Sequence, residues 1–237
     1  MKSVISMALV SIGIISAGYF VGDGLGNIRS SKKVIHTKGI GEKNVDADFA
    51  IWTIKFFVNS DNFQEAKQQY EVDLGVIKDF LNANDFKTDN IEVQVPNIEH
   101  RVERDAQNNY AKVAETFEVL GTVVIKTSDV MKVEKVSQNT FQLLQKGIWL
   151  KGDQYQTNPK YIITDFDRFR PEIFAQAIDS SYRMAKELAK KSDVKIKRVT
   201  DVDQGNFSIR SRIGNENEEA YREKKVRVVS YVTYEIE

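Results

Sequence analysis

The residues best suited to chemistry are few. Asp165 and Asp167, followed by Arg168 and Arg170, make the densest charge cluster near an expected helix start. Paired carboxylates do general acid–base work when one of them is desolvated, and a hydrolase would couple Asp165 and Asp167 to His36 or His100, the two histidines of the chain. The plainer role for such a cluster is to cap the helix and complement its dipole. Asp46 and Asp48 invite the same comparison and read as turn residues. Zinc needs three or four ligands, and Glu99-His100 lacks the i, i+4 pairing of a metalloprotease helix, so the two histidines read as exposed strand residues. Trp52 and Trp149 would serve a ligand-binding module if they lined one pocket.

Other spacings come close to known motifs without completing them. Gly22, Gly24 and Gly26 suggest a phosphate loop, but position 27 is Asn and the preceding element is apolar, so a flexible tether is the reading. Gly39 and Gly41 fit a strand bend or bulge. Lys186, Lys190, Lys191, Lys195, Lys197 and Arg198 form a basic run without interleaved aromatics, as expected of a solvated helix end. No G-x-S-x-G, Walker A or H-E-x-x-H motif occurs. Thirty-four basic residues balance thirty-four acidic ones, so no global field draws the chain to nucleic acid. The lack of cysteine removes disulfides, thiolate nucleophiles, Fe–S clusters and cysteine-based zinc sites together. We therefore expect no catalytic residues, no cofactor, no metal and no nucleic-acid partner.

These residues must be positioned by elements that the hydrophobic pattern outlines. Val4 to Val21 is an uncharged, mostly apolar stretch that includes Val4, Ile5, Leu9, Val10, Ile12, Ile14, Ile15, Tyr19, Phe20 and Val21. As a helix it spans roughly 27 Å, close to a bilayer's hydrocarbon core. Ile15 occupies the −3 position for cleavage after Ala17, which favours an uncleaved signal-anchor over a cleaved signal peptide or a buried core helix. Lys2 on one side against Arg29, Lys32 and Lys33 on the other favours a cytoplasmic body by charge alone, whereas the very short N-terminal tail favours the opposite.

Residues 1–31 thus read as anchor and linker, and 32–237 as an α+β domain, with a subdomain break near 148–156. Val34–Ile40 and Ala47–Val58 have strand composition. From Asn62 to Asn82 the period turns helical, with Phe63, Ala66, Tyr70, Leu74, Ile77 and Leu81 as the stripe and Ser60 or Asp61 as N-cap. Ile91–Glu103 and Tyr110–Thr127 form a long hairpin about residues 105–109. A second helix, capped by Ser128 or Asp129, turns Val130, Val133, Ser137, Thr140, Phe141 and Leu144 inward and ends at Gly147. Strands at Ile148–Leu150 and Gln156–Phe166 precede a third helix from Arg170-Pro171, with Phe174, Ala177, Ile178, Ser181, Ala185, Leu188 and Ala189 as its stripe. Lys195–Asp203, Phe207–Ile209 and Val226–Ile236 close the chain. This order predicts a largely antiparallel sheet with three main helices on one face.

Several short segments, taken in order, resemble the SIMPL-domain family, in its envelope-associated, YggE-like branch. They are Gly18-Tyr19-Phe20-Val21-Gly22, His36-Thr37-Lys38-Gly39-Ile40-Gly41-Glu42 and Asp46-Ala47-Asp48-Phe49-Ala50-Ile51-Trp52. Asp165-Phe166 leading to Arg170-Pro171, the helix Ala175–Ala189, Asp203-Gln204-Gly205-Asn206-Phe207 and Val226-Arg227-Val228-Val229 complete the set over almost the whole chain. The resemblance implies an α+β body in the periplasm, anchored in the inner membrane N-in and C-out (or cleaved and soluble there). It further implies self-assembly into a homo-oligomer, an envelope protein partner and a loose link to envelope or oxidative stress, without established catalytic residues. The leading expectation is a non-enzymatic envelope protein acting by assembly or partner binding. A small-ligand-binding module and a hydrolase are the alternatives.

Overall fold

A computed structural model describes residues 16–19, 33–104, 112–152, 158–213 and 217–237. Of the expected anchor, only 16–19 are described, as exposed helix. The remainder of the anchor, the glycine tether, the hairpin tip at 105–109 and the start of the Gln156–Phe166 strand lie outside the described residues. Among the described residues, no helix is long and apolar enough to cross a membrane.

The body is α+β with antiparallel sheets, and it divides into two compact units. One comprises 42–173 and 207–227. Its centre is β2 (Phe49–Ser60), which alternates without interruption and buries Ala50, Trp52, Ile54, Phe56 and Val58. On one side β2 pairs with β5 (Lys112–Thr127), bringing Val123 and Ile125 opposite Ile54 and Trp52 on the same face. On the other side it pairs with β6 (Lys160–Ile162) and makes an isolated bridge to Leu150. Beyond β5 lie β3 (Ile91–Val93) and β4 (Asn97–Arg104).

The core face of that sheet packs against α1 (Phe63–Ala83), α2 (Val130–Ser137) and α3 (Phe141–Gln145). Asn62, not Ser60 or Asp61, caps α1, its side chain accepting from Gln64 N and Glu65 N. Ser60 instead accepts from the Asn62 N–H. Asp129 caps α2 as expected. The single helix anticipated after it is broken at 138–140. Phe141 and Leu144 consequently face outward and Leu143 is buried, because the break resets the helical register. The long hairpin strand expected at Ile91–Glu103 is likewise two strands, separated at Pro96, which has no N–H to give to a ladder.

The other unit comprises residues up to 41 with 174–206 and 228–237. Its sheet order is β1-β9-β7, from β1 (Val34–Asp46), β7 (Ile196–Gln204) and β9 (Glu223–Ile236). Helix α4 (Arg170–Lys191) turns Ala177, Ser181, Ala185 and Ala189 to the inside, while Leu188, expected in the stripe, is exposed. These small residues let the helix come close. A Cβ on Gly39 would lie 1.8 Å from Ala177 O and 2.7 Å from Ser181 N. Gly39 therefore serves a close approach inside an unbroken strand, which corrects the bend or bulge read from sequence. Strand β8 (Ser208–Ser211) pairs with residues 224–227 of β9, both within the 42–173 and 207–227 unit.

Candidate functional site

Asp48 shows what the Asp165 cluster does. Its carboxylate accepts from Thr164 N at 2.7 Å, Thr164 Oγ1 at 2.9 Å, Asp165 N at 3.5 Å and Arg168 at 3.4 Å. Burial pushes its pKa up, but these donors outweigh burial and hold it below the usual carboxylate range. Asp165 and Asp167 are exposed, and Asp167 binds Arg170 at 3.0 Å. Arg170 in turn stands over Phe166 and Phe207, whose rings meet edge to face at 5.1 Å. The cluster is a folded loop locked by Asp48 and by aromatic packing, not a pair of desolvated acids.

Neither histidine is brought to those aspartates by a described contact. His36 bonds Thr233 Oγ1 at 3.0 Å, within its own unit. His100 pairs with Glu115 at 3.2 Å and stacks on Phe117 at 4.4 Å. Asp46 binds Arg222 at 2.7 Å, and Arg222 also reaches Glu134. Within the basic run, Lys197 and Arg198 both pair with Glu235. No metal-ligand group occurs among the described residues.

The tryptophans separate. Trp52 is 1% exposed and lies in the core against Phe86. Trp149 is 68% exposed and lies beside Phe57, with ring centroids 6.4 Å apart. Phe57 N donates to Trp149 O and Lys151 N to Lys55 O, so 149–151 lies antiparallel alongside β2 about the bridge at Leu150. Gly147, with φ +86°, ends α3 just before it, where Ile148 N donates to Leu143 O. What remains is a cleft of about 460 Å³ lined by Phe57, Val58, Asn59, Gln69, Asp73, Gly147 and Trp149.

Sequence reasoning missed Asp73, although a signal was present. Ala66, Tyr70, Asp73, Ile77 and Phe80 share the buried stripe of α1, so a carboxylate stands where an apolar side chain belongs. Asp73 is 4% exposed and accepts from Gln69 Nε2 at 2.7 Å. Burial raises its pKa despite that hydrogen bond. A raised folded-state value means that stability from this group is full below the unfolded value and falls as pH rises through the folded one. We expect Asp73→Asn to raise the thermal unfolding midpoint at pH 7 and leave it unchanged near pH 3. Circular dichroism melts at both pH values check this.

The sheet's outer edge is the second feature with functional content. Beyond Ser60, where β2 ends opposite Phe117, β4 and β5 continue with only each other as strand partners among the described residues. Gln94 N donates to Thr122 O, so the even-numbered residues of β5 face β3 and β4. The register Leu120↔Asn97, Glu118↔Glu99, Thr116↔Arg101 then turns the backbone groups of Ile98, His100 and Val102 to the open side.

Against known families, residues 35–234 match the model for SIMPL, described as "Protein of unknown function (DUF541)". The chain belongs to the SIMPL family. The match spans both units of this SIMPL chain and so fits one family domain made of two compact parts. No curated protein matches it.

Proposed function

We propose that this SIMPL chain is a non-enzymatic cell-envelope protein, held in the inner membrane by residues 4–21 with its body in the periplasm. It acts by self-assembly and by binding an envelope partner, in the service of envelope or oxidative stress tolerance. The observation that supports assembly is the ribbon of β4 and β5 past Ser60. A two-stranded ribbon is marginally stable by itself in water, and its open edge offers unpaired N–H and C=O groups to another strand. Glu99, Arg101, Glu103 and Arg104 place both charge signs along β4, which suits antiparallel pairing with a second copy of the same strand.

The absence of cysteine makes the test direct. Single cysteines placed in turn at positions 97 to 104 report on strand-to-strand pairing in membranes, because opposed antiparallel residues have the Cα separation that a disulfide requires. Covalent dimer on mild oxidation, or with a short bismaleimide, is expected at the positions nearest the two-fold axis. Monomer at all eight positions would contradict pairing through β4.

A further inference from the structure

We propose that the cleft beside Trp149 binds small organic ammonium ions, with the indole as its aromatic wall and Asp73 as the counter-charge. This goes beyond assembly and concerns a different surface of the same unit.

Three observations converge on a cation. First, Asp73 is a carboxylate nine-tenths buried, and the one hydrogen bond it receives among the described residues comes from the neutral Gln69. A buried carboxylate without a cationic partner is costly, and an entering ammonium removes that cost. Second, Trp149 is held by backbone pairing to β2 yet leaves most of its surface in solvent. Tryptophan faces are the strongest aromatic partners for cations, and quaternary ammonium ligands are recognised in this way. Third, the rest of the cleft is ready for a polar tail. Phe57 points its N–H to Trp149, so Asn59, two residues on, presents its backbone groups to the same side. Among the described residues, no strand pairs with those groups on that side.

The local charges agree. Lys151, two residues from Trp149, stands 5.7 Å over the Phe57 ring and is bound by Glu118, which also reaches Arg101. Its charge is therefore compensated, and among the described residues Asp73 is the one charged side chain that lines the cleft. The volume matches a ligand of choline's class with room for a substituent.

Choline and its uncharged isostere 3,3-dimethylbutan-1-ol separate cation recognition from simple apolar binding. Isothermal titration of the folded protein should show saturable choline binding at least about ten-fold tighter than the isostere. Trp149→Ala should abolish binding without moving the unfolding midpoint, since the side chain is exposed. Asp73→Asn should weaken choline at least about ten-fold while leaving the isostere unchanged. No choline binding, equal affinity for the isostere, or unchanged affinity in both variants would overturn the proposal. The β4 cysteine series is independent of this outcome, so either proposal can fail alone.

Discussion

Replacing Gly39 with Ala should lower the unfolding midpoint by about 10 °C or more. The added Cβ meets Ala177 O at 1.8 Å and Ser181 N at 2.7 Å, and both are backbone atoms of α4 that no rotamer change can move. Accommodating it means separating the helix from β1. That separation would break Thr37 Oγ1 to Ser181 Oγ at 2.7 Å and Ser181 Oγ to Tyr234 Oη at 3.2 Å, both buried. Overpacking costs about 1–3 kcal/mol where side chains can adjust, and the cost rises where only backbone can yield. Ile40→Ala, one residue on and exposed, is the control and should shift stability by less than about 0.5 kcal/mol. Equal melting of the Gly39 variant and wild type would refute the close approach.

Asp48→Ala should cost about 2–3 kcal/mol, because the carboxylate gathers two backbone N–H groups, a hydroxyl and an arginine onto the 164–168 loop. Its pKa is depressed in the folded state, so its contribution is present above the unfolded value and is lost as pH falls through the folded value. The ordinary carboxylate value is 3.8, so the protein should lose this part of its stability progressively below about pH 4. The Ala variant should already lack it at pH 7 and show a flatter acid limb. Urea titrations from pH 7 to pH 3 on both proteins measure the difference, and parallel curves would contradict the assigned role.

What the sequence made legible followed from local periodicity. Tyr70, Ile77 and Leu81 announce α1, and the alternation of Trp52, Ile54, Phe56 and Val58 announces β2, because burial on one face imposes those periods. The break after Ser137 was not legible, because no Pro or Gly marks it. There Ser137, Asn139 and Thr140 turn their side chains to the carbonyls of Glu134, Lys135 and Ser137, competing with continued helix. Gly39 was visible as a glycine, but the helix that presses on it comes from about 140 residues further along the chain. The candidate cleft was half legible. Trp149 is legible as a possible ligand contact, whereas the burial of Trp52 away from it is not, because residue type does not reveal which aromatic a fold will bury. Asp73 was readable in principle, as a carboxylate on an apolar stripe.

Assembly through the outer edge of β4 is the central feature of the proposed function. Ile98, His100 and Val102 direct their N–H groups outward, so Val102→Pro removes one outward donor and leaves the β4–β5 ladder intact. Native mass spectrometry of the full-length protein, extracted in detergent as wild type and as Val102→Pro, measures assembly directly. A defined oligomer is expected for wild type and monomer for the variant, which should keep the circular dichroism spectrum of the folded chain while losing the part of its thermal stability that assembly contributes. A monomeric wild type, or an oligomer that the proline leaves unchanged, would contradict assembly through β4.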